Sequence, residues 1–242
     1  MRAFKKMLMQ IRDKKNKTLN EKLTYELLKL SKKFDFDGFF TNKELVEKLK
    51  QNNLKPVAVV ITHGHLDHFF SVLPLTTEIP MFTYITKTDR FLLEDPMGAL
   101  EKDGITQRLI TEFGIKNFKE PAEIIELQDF SKLNLAGLEF EVIFSPGHTK
   151  GSAMFVVDNL ELISGDVLFA GSIGRTDMPT GSAADMRKTL RERVLTLPDH
   201  LNVLPGHGRQ TTIGNERVRN PYLDRKSTRL NSSHVSESRM PS

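Results

Sequence analysis

Residues 62–68 read Thr-His-Gly-His-Leu-Asp-His and follow directly on Val57–Ile61, the run VAVVI. A short, uninterrupted, β-branched apolar run predicts a buried strand. The next seven residues leave its end as a loop carrying His63, His65, Asp67 and His68. A loop this short can fold His63 and His65 toward one point and Asp67 and His68 toward a neighbouring one. Imidazole and carboxylate are donors that Zn²⁺, Mn²⁺ and Fe²⁺ accept. A lone histidine is ordinarily a surface or satisfied core residue, but that reading must here explain three histidines and an aspartate together.

The remaining histidines sharpen the pattern. The chain has seven, at 63, 65, 68, 148, 200, 207 and 234. His148 (in SPGHTKGS) and His207 (in LPGHG) each follow a predicted strand, and each Pro-Gly pair lets the backbone turn sharply before the imidazole. His200, in the polar PDHLN stretch, lacks such a setting and reads as a surface residue. Asp166, in SGDVLF, follows the predicted strand Leu160–Ser164. A carboxylate buried beside apolar neighbours needs a partner, and a position between two cations supplies one. A helix N-cap is the competing role for Asp166.

Around these loops the chain mixes strands and helices without internal repeats. Thr41 and Glu44 form a capping box for a helix that ends near Asn52-Asn53 and Pro56. Strands are predicted at Met81–Ile85, Leu138–Phe144 and Val203-Leu204, with a hairpin of Met154–Val157 and Leu160–Ser164 turning at Asp158-Asn159. Helices are predicted over Thr86–Leu93, over Ala183–Leu195 and from Asn215 onward. A layered α/β domain follows.

Composition narrows the function classes. The 242 residues are 38% hydrophobic and 27% charged, without cysteine, which excludes disulfides, thiolate ligands and a cysteine nucleophile. Neither an apolar run long enough for a membrane span nor a signal peptide is visible, and a cytoplasmic location is expected. The formal charge of +4 is unevenly spread: residues 1–34 carry +8 and 224–242 carry +2, leaving −6 for 35–223. An acidic body argues against a nucleic-acid footprint; neither nucleic acid nor membrane is expected as a partner, and the oligomeric state is left open.

Both ends read as foreign to the domain. Asp224–His234, DRKSTRLNSSH, resembles the translation of a common sequencing adapter, and the remainder to residue 242 is polar without period. Residues 224–242 are therefore set apart from the fold, as an adapter artefact or polar tail, with native sequence expected to stop near Leu223. Residues 1–34 form an atypical basic segment, compatible with a helix, an arm, a frameshift or a wrong start. The domain is placed at 35–223.

In this order THGHLDH, SPGHT, SGDVLF and LPGHG resemble the metal motifs of the metallo-β-lactamase superfamily, over roughly residues 37–223. FAGSIGRTD and TTIGNER are similar to its short glyoxalase II-like thioesterases. The resemblance implies a four-layer αββα sandwich with the site at one edge of the two sheets. It implies one metal on His63, His65 and His148, a second on Asp67, His68 and His207, and Asp166 bridging. Two divalent ions are expected, Zn²⁺ first, with Fe or Mn as alternatives. Asp67 and Asp166 are assigned catalytic roles besides holding metal.

Departures from the family pattern also inform. Metallo-β-lactamases commonly carry a cysteine where Asp166 stands, so antibiotic hydrolysis is disfavoured. Flavodiiron proteins have an acidic residue at the position of His65, which disfavours that redox chemistry. The family's opening β-hairpin ends in Asp-Pro-Gly, whose Asp steadies a metal-bound histidine; here Asp37-Gly38 takes that place without the proline, and the hairpin itself is not recognisable. Asp37 is the expected counterpart.

The function expected is hydrolysis of a small acyl thioester, by resemblance a hydroxyacylglutathione, by a hydroxide held on the metal pair. A thiolate leaves without a strong general acid, which suits a site showing none. Gly171, Ser172 and Gly174 offer a low-bulk approach for substrate, and Arg175 is expected to meet an anionic end of it. The alternatives are a mononuclear iron persulfide dioxygenase, which shares a stretch like Gly174–Asp177, and a phosphodiesterase of the same superfamily, against which the acidic body argues. A damaged reading frame whose product does not fold is the non-enzyme alternative.

Overall fold

The computed structural model describes residues 49, 51, 53, 55–99 and 118–223. The basic N-terminal segment, Asp37, the Thr41–Glu44 capping box, the family's opening hairpin and the tail from 224 lie outside these residues. Leu49 and Gln51, at the end of the first predicted helix, are helical.

Three parallel strands, β1 (Ala58–Val60), β2 (Phe82–Thr86) and β3 (Ile124–Leu127), form one sheet in that order. A second sheet of six strands has the order β11-β10-β7-β6-β5-β4. Its members are β4 (Lys132–Leu135), β5 (Leu138–Phe144), β6 (Ala153–Val157), β7 (Glu161–Gly165), β10 (Asn202–Pro205) and β11 (Thr211–Thr212). Strands β8 (Leu168–Phe169) and β9 (Ser172–Ile173) pair separately as a small hairpin.

Side-chain alternation assigns the layers. From β6, Phe155 and Val157 meet Phe140, Val142, Ile163 and Leu204 on one face, where Val60, Tyr84 and Leu127 of the three-stranded sheet pack against them. From the same strand, Met154 and Val156 point the other way, onto Met186, Leu190, Val194 and Ile213. Those belong to the helical segment Ala183–Thr189 (α4), its wider π-type continuation Leu190–Val194, and the helix Ile213–Arg219 (α5). The outer face of the small sheet, Ile61 and Ile85, is covered by Phe69, Val72 and Leu93. These lie in Leu66–Phe69 (α1), Val72–Glu78 (α2) and the 3₁₀ turn Phe91–Leu93 that follows Lys87–Arg90 (α3). Helices, sheet, sheet and helices make the four-layer αββα arrangement.

Local chemistry explains the details. Asp158 and Asn159 both hold positive φ, 49° and 52°, between β6 and β7. That is the type I′ geometry whose twist matches a hairpin, and Asp and Asn tolerate it. Ser182 caps α4 by accepting from the Asp185 amide, and Thr212 caps α5 by accepting from Asn215. The structure adds strands β3, β4, β8, β9 and β11, which are short or only partly covered. No helix of the described residues is long and apolar enough to cross a membrane.

The topology sets the site. Strands β5 and β7 are each antiparallel to β6, and β10 is parallel to β7. Strands β5, β7 and β10 therefore run the same way and deliver their C-terminal loops to one edge. The loop after β1 reaches this edge through the Ala153 amide, which donates to Thr62 O at 2.8 Å.

Candidate metal centre

Each C-terminal loop carries one or more of the singled-out residues: His63 and His65 after β1, His148 after β5, Asp166 after β7 and His207 after β10. Asp67 and His68 stand on α1, which begins at once after the loop. The structure brings these seven side chains together. Ligand-type atoms lie within 4.8 Å of one another in three groups: His63, His65 and His148; His63, His68 and Asp166; and Asp67, His68 and His207. His63, His65, His68, His148 and Asp166 are buried, whereas the side chains of Asp67 and His207 are 37% and 51% exposed and mark the solvent side.

The spacing within the cluster is that of ligands around shared ions. His68 Nε2 lies 3.4 Å from Asp67 Oδ2 and 3.6 Å from Asp166 Oδ1. His207 Nε2 lies 3.3 Å from Asp67 Oδ2 and 3.4 Å from Asp166 Oδ2, and His148 Nε2 lies 3.5 Å from Asp166 Oδ2. A tetrahedral ion with ligands at about 2.0–2.1 Å separates neighbouring ligand atoms by about 3.3 Å. Four buried atoms of the cluster, His63 Nε2, His65 Nε2, His148 Nε2 and Asp166 Oδ1, have no hydrogen-bond partner. Such orphans are costly unless something fills the space between them. Divalent cations fit this donor set.

Electrostatics agree. Burial holds His63 well below its ordinary pKa, with the neighbouring histidines adding to the effect, and brings His65 down to about 4. Burial also lowers His148, outweighing the opposing pull of Asp166. Uncharged imidazoles present the lone pairs that metal binding requires. Burial would raise Asp67 and Asp166, but hydrogen bonds and positive charge from His207 and His68 hold both below the usual carboxylate range. His207 runs the other way: paired first with Asp166 and then with Asp67, it is raised to about 10, so a cation bound there would take the place of its proton.

Hydrogen bonds orient the rings. His148 Nδ1 meets the Arg175 carbonyl at 2.8 Å, which places a proton on Nδ1 and leaves Nε2 facing the cluster. His63 Nδ1 is 3.0 Å from Thr62 Oγ1. Gly206, just before His207, is glycine because a Cβ there would collide with Asp166 Oδ1 and come within 2.9 Å of His68.

Among the described residues, the others singled out lie outside the cluster. The Arg175 guanidinium is held by Asp177 in a two-point pair, Nε to Oδ1 at 2.7 Å and Nη2 to Oδ2 at 2.9 Å. Gly171, Ser172 and Gly174 lie in and after the β8–β9 hairpin, where the Gly171 amide donates to Glu216 Oε2 at 2.7 Å. Phe169 of that hairpin sets its ring edge-on to His207, 6.3 Å between centroids. His200 stays outside the cluster, its Nε2 2.9 Å from Asn159 O.

The sequence reading missed Asp89 and Glu216, both buried carboxylates beside these loops. A signal existed for Asp89. It precedes Leu92 and Leu93 by three and four residues, so it sits on the apolar face of its turn.

A family model for the metallo-beta-lactamase superfamily matches residues 31–207. The chain is 40% identical over 183 residues to an uncharacterized protein of Mycobacterium tuberculosis, spanning 73% of this chain and 80% of that one. It is 31% identical over 187 residues to the hydroxyacylglutathione hydrolase GloC of Haemophilus influenzae, spanning 76% and 84%. Among solved structures it is similar to the B3 metallo-beta-lactamase BLEG-1, with a TM-score of 0.65, 33% identity, and 77% and 86% of the two chains covered. It is also similar to TTHA1623 in a di-iron-bound form, with a TM-score of 0.64, 30% identity, and 77% and 87% covered.

Proposed function

The chain belongs to the metallo-beta-lactamase superfamily, and we propose that it is a dinuclear metal-dependent hydrolase of small acyl thioesters, with a hydroxyacylglutathione as the model substrate. The observation that carries the reading is the pair of triplets, His63/His65/His148 and Asp67/His68/His207, with Asp166 within 3.6 Å of a nitrogen from each. In this reading each triplet would hold one divalent ion, and Asp166 would contribute to holding both. Bound there, two such ions make a shared water acidic enough to ionise near neutral pH and polarise a carbonyl.

The chain's own residues supply the rest. His63, His65 and His148 stay uncharged because they are buried. Asp67 and Asp166 are the catalytic carboxylates in this reading. They remain ionised and orient the attacking water by accepting its hydrogen bonds. Water adds its oxygen to the acyl carbon, the C–S bond breaks, and the products are a carboxylic acid and a thiol. A thiolate leaves readily because a thiol is already a moderate acid, with a pKa of about 8.5. The β8–β9 hairpin sets Phe169 beside His207, and Arg175 just beyond it, paired with Asp177, is the cation proposed to meet an anionic part of the substrate.

The likeness to GloC supports this substrate class, and the cysteine-free centre agrees with it. The likeness to BLEG-1 supports a second reading, opening of a β-lactam amide. Parallel assays of the metal-loaded chain with S-lactoylglutathione and a chromogenic cephalosporin, with oxygen uptake followed on glutathione persulfide, separate the readings. Thioester cleavage without oxygen uptake is expected. Lactam turnover exceeding thioester turnover would favour the second reading, and oxygen uptake with one iron per chain would favour a dioxygenase.

A further inference from the structure

One buried carboxylate spans both loops of a single triplet without touching any of its imidazoles. Asp89 is fully buried. Its Oδ2 accepts from the Gly64 amide at 2.8 Å and from Thr149 Oγ1 at 2.6 Å, and its Oδ1 accepts from the Gly151 amide at 2.7 Å. Gly64 lies between His63 and His65, and Thr149 and Gly151 flank the turn just after His148. Thr86, at the end of β2, adds a hydrogen bond from Oγ1 to Gly151 O at 2.6 Å. Thr149 is fixed in turn by Ser152, whose Oγ meets the Thr149 amide at 3.0 Å and its hydroxyl at 2.8 Å. Gly151 leaves no slack, since a Cβ there would stand 2.5 Å from Asp89 Oδ1.

Among the described residues Asp89 has no ion-pair partner; its three hydrogen-bond donors are neutral, and the charge of His148 adds a smaller pull toward the ionised form. Burial pushes its carboxyl up, against those hydrogen bonds. A buried carboxylate without a cation is expensive to keep, and every donor here comes from a ligand-bearing loop. Asp67, His68 and His207, the other triplet, receive nothing from it.

We propose that Asp89 is a positioning residue that clamps the His63–His65 loop to the His148 loop and so sets the spacing of one metal site and not the other. The proposal rests on the metal-binding reading above. Partners that orient metal ligands are typically worth 10–100-fold in affinity.

The test is Zn²⁺ competition against a chromophoric chelator on the full 242-residue chain, beside apo-protein melts. His148→Ala and His207→Ala assign the two dissociation constants to the two sites. Asp89→Asn keeps the shape but turns an acceptor toward N–H and O–H donors. It should raise the constant of the His148 site by about 10–100-fold and leave the other within about 2-fold. Thr149→Val removes one donor and should shift the same constant alone, by less. Both constants rising together in Asp89→Asn, or neither moving, overturns the proposal. Should Asp89→Asn fail to fold, Thr149→Val decides by the same criterion. Failure of the unaltered chain to bind Zn²⁺ would instead overturn the metal reading, and the unaltered arm reports that separately.

Discussion

Asp166 Oδ2 lies 3.4 Å from His207 Nε2, although the β8–β9 hairpin, two helical segments and strand β10 separate them in the chain. The approach is possible because β10 runs parallel to β7, so that the Gly165 and Gly206 backbones meet, amide to carbonyl, at 2.8 Å. The same carboxylate also faces His148 and His68. An acidic group within 3.6 Å of histidines from α1, the β5 loop and the β10 loop lies between the two triplets, and its removal should be felt on both sides.

Asp166→Ala should therefore weaken both bound ions, by about 10-fold or more each, and abolish most turnover. Asp67→Ala and His207→Ala should each cost mainly one ion. Metal analysis after dialysis against a weak chelator checks this. Loss of a single ion in Asp166→Ala would remove it from the shared position.

Stripping the metals should destabilise the fold. The buried carboxylate of Asp166 and the uncharged imidazoles around it lose the cations that compensate them. Ions present at about 100 times their dissociation constant contribute about 2.7 kcal/mol each by linkage. With both ions removed, a fall in Tm of roughly 10–20 °C on chelation is expected for a domain of this size. An unchanged melt, with removal verified by metal analysis, would contradict this.

Arg175 separates side chain from backbone. Its carbonyl orients His148, and its guanidinium pairs with Asp177 on the surface. Arg175→Ala should leave metal content intact and raise KM more than it lowers kcat, because the contact is proposed for ground and transition states alike. Loss of metal in this variant would show that the side chain, and not the carbonyl, carries the role.

Glu216 should matter for the hairpin beside the site. The buried carboxylate accepts from Gly171, Thr211, Asn215 and Asn220, and Asn220 in turn donates to Phe169 and Ser172 carbonyls. Glu216→Gln faces an amide donor toward donors and should cost about 1–3 kcal/mol, with a raised KM. Burial would raise its pKa, but these hydrogen bonds outweigh burial and lower it. Its stabilisation is thus present above the ordinary glutamate value near 4.5 and is lost as pH falls below it. The Tm difference between the two proteins, large at pH 7, should narrow toward pH 3; a constant difference would contradict the assignment.

The seven cluster residues were legible because they occur where period-2 and apolar runs stop, in loops with Gly or Pro that present side chains at strand ends. Strands β1, β6, β7 and β10 were legible for the complementary reason, short apolar runs that are mostly buried, whereas β5 was legible from its alternation, with Glu139 exposed between buried Leu138 and Phe140. Strands β3 and β4 carry charged residues such as Glu126 and Lys132 within four-residue runs and left little pattern. The helix read as one piece over Ala183–Leu195 changes to π-type hydrogen bonding at Leu190, which side-chain spacing does not report. Asp89 escaped because its donors, Gly64, Thr149 and Gly151, are distant in sequence and are brought near only by the closed sandwich; Glu216 accepts from Thr211, Asn215 and Asn220 close by in the chain, and only its link to Gly171 depends on the fold. Arg175 was read for its charge, while its carbonyl, invisible in sequence, makes the contact with His148.

The most direct test is to follow S-lactoylglutathione hydrolysis while Zn²⁺ is returned to the stripped chain, with bound ions per chain counted at each point. The account predicts turnover that rises with occupancy up to two ions per chain. Full turnover at one ion per chain, or no thioester cleavage at two, would contradict it.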